Sequence, residues 1–377
     1  MKSSDRSFAR FCSRIPDVTN QGKKQGDTAL AEVVLPGRPL SDTLRFFTDE
    51  LGFRVDSIYP ADAPRVAVIS AYGVRLRLDG DATSGPGAIR IVGGDQLQGK
   101  ENVVAPNGTN IEFVADEQPL LMPPLKPSLD IQNAGKGTDF GEGRAGMQYR
   151  DLIGDRFGGC FIASHIRIVD GGPVADYVHH HHIRFQMIFC VRGWVNVVYE
   201  DQGPPILLEE GDCFLQPPHI RHRVLESSDN MEVVEIACPA EHETCVDHEM
   251  ELPTGLMNPE RDFGGQKFAY HKASDSPWVP WHLAGFESQD TGIKTATSGI
   301  ASAVVVRATG ETARLALNHD ADIRFLFVLQ GDAAFESDGE KSELRQNSSC
   351  AIPGGLACEL ADISADFKML EVFVSSR

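Results

Sequence analysis

The sequence has no run of about 18 apolar residues, and its basic residues are few compared with its acidic ones. The missing apolar run argues against a membrane-spanning helix, which needs about 20 such residues. Lys and Arg number 35 against 54 Asp and Glu, giving a formal net charge of −19. Because nucleic-acid phosphates require a basic surface, this balance argues against a nucleic-acid partner. We therefore expect neither a membrane nor a nucleic acid as partner.

The chain also lacks any pair of cysteines with CxxC spacing, although it contains eight cysteines. Cys190, Cys213 and Cys238 lie inside apolar, strand-like runs, where a free thiol behaves as a small hydrophobic side chain. This pattern indicates reduced structural cysteines rather than a disulfide framework. The sequence therefore predicts a reducing, cytoplasmic location.

Residues 1–27 are polar and contain no apolar core of the kind that a secretory signal requires. A basic, Ser-containing start is compatible with a transit peptide, but Asp5 and Asp17 argue against one. We expect residues 1–27 to form a disordered tail.

The 377 residues are enough for two or three domains, each with its own core. The first folded unit is predicted at residues 28–117. Leu44, Phe47 and Leu51 recur at helical spacing, and Gly52 follows as a C-cap. The predicted elements are a strand at Ala29–Leu35, a helix at Pro39–Leu51, and strands at Arg54–Tyr59, Arg65–Ser70, Val74–Leu78 and Asn110–Val114.

This β-α-β-β-β order resembles one module of the glyoxalase/bleomycin-resistance, or vicinal-oxygen-chelate, superfamily. The likeness is carried by the segments 46–53 (FFTDELGF) and 106–113 (PNGTNIEF). Metal-using members of that superfamily have ligands near the first and last strands, close to Glu32 and Glu112 here. No His or Glu marks a middle strand, so we expect a metal-free structural or ligand-binding module. Such modules pair, and the single copy predicts pairing across a homodimer.

The rest of the chain is predicted to be mainly β. Residues 118–150 are rich in Pro and Gly and indicate a linker or a wrapping segment. Short strands separated by turns then predict a β-barrel at residues 151–245. An irregular bridge is expected at 246–290 and a second barrel at 291–377.

Histidines and glycines at particular spacings give the first barrel its most informative pattern. It reads HHHHIRFQ at residues 179–186, followed by Gly193, Gly211, Pro217, His219 and His222. It resembles the two cupin motifs, G-x5-H-x-H-x3-4-E-x6-G and G-x5-P-x-G-x2-H-x3-N. Gln186 stands at the family's glutamate, and His219 at a glycine. The resemblance implies a jelly-roll barrel with a metal centre and, overall, a bicupin.

Side chains two apart on a strand share a face, so His180, His182 and Gln186 are predicted to point the same way. With His222 they form the predicted metal set, Gln186 being a weak fourth ligand. A bulge would exchange the pair for His179 and His181. Three imidazoles and an amide suit one divalent transition metal. Fe(II) is the preferred candidate, and Ni, Mn, Cu and Zn also fit.

Three further residues are candidates for catalysis. Arg184 is suited to binding a substrate carboxylate, and an ion pair at the barrel mouth is the alternative. His219 is a candidate acid or base, or else a solvent-exposed turn residue. Tyr177 is a candidate pocket residue, as is Gln216. Glu235 is expected either to orient a ligand histidine or to be a plain wall residue.

Segments around Ile323–Leu329, Ala351–Gly355 and Met369–Phe373 echo the first barrel, which indicates an internal repeat with a period near 135 residues. In that alignment the ligand places of the second barrel hold Asn318, Asp320, Arg324 and Cys358. A permanently charged Arg repels a metal cation. We therefore expect a degenerate, metal-free second barrel.

Together these patterns predict a mainly β protein, an N-terminal α+β vicinal-oxygen-chelate-like module followed by two cupin barrels. The favoured function is a metal-dependent dioxygenase acting on a small organic acid, phenol or diketone. A metal-dependent isomerase or lyase and a non-catalytic ligand-binding cupin are the alternatives.

Overall fold

The computed structural model describes residues 30–60, 62–93, 99–115, 119–133, 140–143, 146–310 and 312–375. The predicted disordered tail at 1–27 lies outside these residues. The chain divides into two compact units, and the boundary in the sequence lies between Pro119 and Leu120. None of the helices in the described residues is long and apolar enough to cross a membrane.

The first unit begins with the predicted β-α-β-β-β order, and the structure adds strands at Ala88–Gly93 and Val103–Val104 that were not predicted. Its four-stranded sheet has the order β1-β4-β3-β2, with β1 parallel to β4, and a separate sheet has the order β5-β7-β6. The elements are β1 Val33–Pro36, α1 Leu40–Arg45, a π-helical turn Phe46–Glu50, β2 Arg54–Tyr59, β3 Val66–Ala71, β4 Val74–Asp79, β5 Ala88–Gly93, β6 Val103–Val104 and β7 Asn110–Ala115.

The helical face predicted from the apolar spacing forms the core of this unit. Phe47 and Leu51 are buried and Leu44 packs partly buried against them. Gly52 has φ 74° just beyond the helix, a left-handed conformation that suits glycine at a helix end. Glu32 is paired with Arg75 at 2.7 Å, and Glu112 is exposed. The superfamily likeness of this unit stays a prediction.

The first barrel comprises two facing sheets with the orders β21-β17-β14-β19-β11-β10-β9 and β16-β15-β18-β13-β20, the short β12 also pairing with β18. Single 3-10 turns lie at Arg156–Gly159 and Ala273–Asp275. The second unit starts at Leu120, and its first strand, β8 Asp130–Gln132, belongs to the second barrel. The strands of the first barrel are β9 Gly141–Glu142, β10 Gln148–Asp151, β11 Ile162–Ile168, β12 Gly172–Pro173, β13 His179–His182, β14 Phe185–Arg192, β15 Trp194–Tyr199, β16 Ile206–Glu209, β17 Cys213–Leu215, β18 His222–Ser227, β19 Met231–Cys238, β20 Glu243–Val246 and β21 Ala269–His271.

The second barrel repeats this plan with sheets of order β22-β23-β24-β31-β26-β29-β8 and β25-β30-β27-β28. Its elements are β22 Val279–Pro280, β23 Phe286–Asp290, α2 Ile293–Ala296, β24 Ala301–Ala308, β25 Thr312–Ala316, β26 Ile323–Gln330, β27 Asp332–Ser337, β28 Glu340–Arg345, β29 Ser349–Pro353, β30 Cys358–Ile363 and β31 Lys368–Val374. The Pro- and Gly-rich segment before the first barrel supplies β8 to the second barrel, and β9 and most of β10 to the first. It therefore runs along both barrels.

Alternation along β14 separates the core between the barrels from the interior of the first barrel. Phe185, Met187 and Phe189 belong to one apolar cluster together with Phe325 and Phe327 of β26. The residues between them, such as Gln186 and Ile188, face the cavity of the first barrel. A strand whose two faces are both covered explains why this stretch is apolar almost throughout.

Gly193 of the first cupin-like motif lies in the tight turn from β14 to β15 and has φ 75°. A Cβ at this position would clash with Ser228 Oγ, which accepts a hydrogen bond from the backbone N–H of Trp194. The turn therefore requires a glycine for both its backbone conformation and its close packing.

Candidate metal centre

Three buried imidazoles converge inside the first barrel. His179 and His181 lie on β13, and His222 is the first residue of β18, directly across the ladder from His179. One ligand atom from each of the three lies within 4.8 Å of those of the other two. We call this set the histidine cluster. In the described part of the chain no other group of three His, Cys, Asp or Glu residues meets that distance.

Hydrogen bonds fix the orientation of each imidazole in the cluster. The Nδ1 atom of His179 lies 2.8 Å from the carbonyl oxygen of Tyr177, and that of His222 lies 3.0 Å from the carbonyl of Ile220. Thr244 Oγ1 lies 3.0 Å from His181 Nδ1. A carbonyl can only accept, so Nδ1 of His179 and of His222 carries the proton, and Nε2 is the nitrogen whose lone pair suits a metal. Supporting bonds of this kind are what metal-binding histidines use to set their tautomer.

A buried carboxylate supports the same side of the cluster. Asp176 accepts a hydrogen bond from the backbone N–H of Val224 at 3.0 Å through Oδ2. Its other oxygen lies 3.7 Å from Nδ1 of His179. Asp176 therefore links the loop before β13 to β18. The strands β13 and β18 carry the three histidines of the cluster.

The facing of β13 corrects the predicted pair of His180 and His182. The prediction carried strand alternation on to Gln186, but Ile183 and Arg184 separate β13 from β14, and these strands belong to different sheets. The change of sheet resets the alternation. His181 and Gln186 therefore both face the cavity, although they are five positions apart. The cupin spacing H-x-H-x3-4 admits this register as well, with four intervening residues.

His180 and His182 lie on the other side of β13, next to His219. Ring centroids are 5.6 Å apart for His180 and His219 and 5.2 Å apart for His182 and His219. Partial burial, with Arg221 nearby, lowers the pKa of His180. The four consecutive histidines are thus divided between the interior and the exterior of the barrel.

The three residues predicted for catalysis are not among those that line the cavity. Tyr177 is 47% exposed and contributes its backbone carbonyl to His179. Arg184 Nε contacts the carbonyl oxygen of Ser375 at 3.4 Å, near the end of the second barrel. His219 is an exposed turn residue with φ 63°. Arg184 was predicted from the same strand alternation as His180 and His182, and His219 from its place at the family's glycine, and neither pattern places the side chain in the cavity.

The histidine cluster opens into a cavity of about 520 Å³, a size typical of small-molecule sites. Its polar residues were in part expected, namely Gln186, Gln216 and Glu235. Tyr199, His242 and Thr244 also line it and were not predicted. No sequence motif marks these three residues. Thr244, for example, reaches the site only through the pairing of β20 with β13.

Two amide side chains order the polar part of the cavity. Gln186 donates from Nε2 to Oε1 of Glu235 at 2.5 Å. Gln216 donates from Nε2 to the hydroxyl of Tyr199 at 2.9 Å. Burial raises the pKa of Tyr199 well above its usual value, so this hydroxyl remains a neutral phenol. Since an ionised carboxylate only accepts, the bond to Glu235 turns the Gln186 amide so that its carbonyl oxygen is directed away from Glu235.

The interior of the second barrel differs at three of the four corresponding positions and keeps a histidine, His319, at the fourth. The backbone N–H of His219 donates to the carbonyl of His181, and that of Gly355 donates in the same way to His319. His181 therefore corresponds to His319 and His179 to Leu317, which corrects the predicted places Asn318 and Asp320 by one residue. Arg324 and Cys358 keep their predicted places. Leu317 and Cys358 belong to the apolar core of this barrel, and Arg324 is paired with buried Glu371.

No family model and no curated protein matches the sequence. Among solved structures, the fold is similar to that of salicylate 1,2-dioxygenase from Pseudaminobacter salicylatoxidans. The TM-score is 0.50 at 14% identity, and the match covers 68% of this chain and 87% of that one.

Two further structures resemble the chain at a TM-score of 0.49 and 12% identity. A putative glyoxylate-induced protein from Pseudomonas aeruginosa is matched over 69% of this chain and 94% of its own length. A mutant of Bacillus subtilis oxalate decarboxylase is matched over 66% and 78%.

At these identities the comparisons concern the fold, and the likeness to salicylate 1,2-dioxygenase agrees with the sheet orders and the repeated barrel described above. The two β-barrels of this chain have the cupin fold.

Proposed function

We propose that the chain is a metal-dependent cupin enzyme, a dioxygenase that uses Fe(II) and acts on a small oxygenated organic compound. The observation that carries the proposal is the convergence of His179, His181 and His222 at one end of a buried cavity. The Nδ1 atoms of His179 and His222 are held by backbone carbonyls, so the Nε2 atom of each carries a lone pair, and Thr244 Oγ1 holds the Nδ1 atom of His181. Such a donor set fits a divalent transition metal.

The metal would supply a Lewis-acidic centre with positions open to a substrate and to oxygen. The residues of the chain have separate tasks. The three histidines would hold the ion, and Gln186 would offer its carbonyl oxygen as a weak fourth donor. Glu235 keeps the Gln186 amide in that orientation. Apolar side chains of the lining, such as Ile188 and Val197, lower the local dielectric and so strengthen polar interactions inside the cavity.

The proposal is tested by metal analysis followed by oxygen uptake. Protein purified without a histidine tag should contain about one transition-metal ion per chain. After reconstitution with Fe(II), it should consume oxygen in the presence of a substrate from a panel of phenols, diketones and organic acids. Turnover without oxygen uptake would indicate an isomerase or lyase instead. Protein that binds no metal, or that binds ligands without turnover, would support a ligand-binding cupin.

A further inference from the structure

The cavity around the histidine cluster carries negative rather than positive side-chain charge. The described residues that line it include no Lys or Arg. They include two acidic residues, Glu142 and Glu235. Glu142 is exposed, and Glu235 is partly buried on β19. The group that donates to Glu235 is the neutral amide of Gln186. This hydrogen bond satisfies one carboxylate oxygen but leaves the charge in place.

The remaining wall of the cavity is largely apolar. It is formed by the inward-facing residues of both sheets, many of them in the apolar cluster of the first barrel. These include Ile166, Ile188, Val195, Val197, Met231 and Val233. The donors elsewhere in the lining, such as Ser164, Tyr199 and Gln216, are uncharged, and this apolar part of the wall offers none to a bound molecule. A charged group placed against it would be buried without a partner, which is costly.

These two features restrict what can occupy the cavity beyond the metal. Uncharged oxygen atoms of a ligand can meet the metal directly, whereas a carboxylate on the metal would also lie near Glu235, which is hydrogen-bonded to the proposed fourth donor Gln186. A carboxylate directed toward the wall would find no Lys or Arg among the described lining residues and would be repelled by Glu235. Resting on the metal-dependent function proposed above, we propose that the substrate is an uncharged, mostly apolar molecule that reaches the metal through neighbouring carbonyl or hydroxyl oxygens. Glu235 is then a specificity-determining residue that disfavours carboxylates.

Two probes of similar size test this selectivity. Benzoylacetone is an uncharged aromatic diketone, and salicylate is an aromatic carboxylate, and each can present two oxygens to a metal. Both are titrated calorimetrically into protein loaded with Zn(II), which prevents turnover by oxygen. Benzoylacetone should bind at least about tenfold more tightly, a factor equivalent to about 1.4 kcal/mol. Equal or tighter binding of salicylate would overturn the proposal, as would binding of neither probe.

The role of Glu235 is tested with Glu235→Gln. This variant keeps the shape of the side chain and removes its charge, so salicylate should bind several-fold more tightly while benzoylacetone changes little. Glu142→Gln is the matched control, since the same charge is removed from an exposed position and a smaller change is expected. An unchanged ratio of the two affinities in Glu235→Gln, with metal bound and the fold intact by circular dichroism, would overturn the assignment to Glu235.

Metal content is measured before either probe is added, and this separates the two proposals. Wild-type protein that binds no Zn(II) would overturn the metal-dependent function and this inference together. Protein that holds one Zn(II) but prefers salicylate would overturn the inference alone. The comparison of probes in the wild-type protein needs no variant, so a variant that fails to fold does not remove the test.

Discussion

Gln186 and Glu235 are joined by a hydrogen bond from Nε2 to Oε1 of 2.5 Å inside the first barrel. The second barrel places Arg324 and Glu371 at the corresponding positions, because Glu235 lies opposite Ile188 in its ladder and Glu371 lies opposite Leu326. One barrel thus has a neutral amide beside its carboxylate, and the other has a permanently charged guanidinium. The first barrel therefore has a cavity that can accept a cation, whereas the interior of the second barrel is filled by side chains such as Leu317 and Cys358.

The first prediction concerns the register of β13. His222→Ala and His181→Ala should each abolish stoichiometric metal binding, because each removes one of three converging ligands. His182→Ala is the matched control, since it removes an imidazole from the other side of the same strand and should leave the metal in place. Metal analysis after dialysis against a chelator provides the measurement. Loss of metal in His182→Ala, with retention in His181→Ala, would restore the register predicted from alternation.

The second prediction concerns the fourth donor. Gln186→Ala should lower metal affinity by roughly 10–100-fold, as found for groups that support a metal centre, and less than loss of a histidine does. Gln186→Glu should bind metal more tightly because it adds a negative charge. Competition with a chromogenic chelator measures both affinities. If Gln186→Ala has wild-type affinity, Gln186 is a wall residue only.

The third prediction is that the buried pair in the second barrel is structural. Arg324→Ala leaves Glu371 buried without its partner and should destabilise the protein by about 3–5 kcal/mol. The side chains of Arg324 and Glu371 are each only 3% exposed. Arg314→Ala breaks the ion pairs of a largely exposed guanidinium with Glu336 and Glu359 and should cost less than about 1 kcal/mol. Urea unfolding measures both changes.

Metal content completes this third test. Arg324→Ala protein that is still folded should retain its metal, because the residue lies in the barrel without the histidine cluster. Cys358→Ala should likewise leave turnover intact. A folded, metal-loaded Cys358→Ala protein that loses activity as severely as His222→Ala would show that the second barrel contains a working site.

The fourth prediction is that the chain forms a homodimer through its first unit. β2 is the last strand of the four-stranded sheet, and all six of its residues are exposed. Val55 and Ile58 are among them, and an exposed apolar edge strand invites pairing with another strand. Light scattering at micromolar concentration should give twice the chain mass. Ile58→Asp should shift the protein toward the monomer, whereas wild-type protein that is monomeric would contradict the prediction.

The sequence alone determined the class of fold and part of the strands, among them β2, β3 and β4, because those depend on local patterns. Alternating apolar residues, Gly193 at a tight turn and the spacing from Gly211 to His222 all act over a few residues. The repeat of the barrel was also visible, since Ile323–Leu329 has the same pattern as the strand that holds Gln186. His222 and Gln186 could be selected for the same reason.

Only the tertiary structure decided which histidines face inward. Ile183 and Arg184 carry the chain from one sheet to the other, and alternation does not continue across such a change. A one-residue shift in facing exchanges the whole set of side chains between the interior and the exterior, which moved the cluster from His180 and His182 to His179 and His181. The lining of the cavity by Tyr199 and Thr244 was likewise decided by strand pairing between distant segments, and no local pattern in the sequence encodes that pairing.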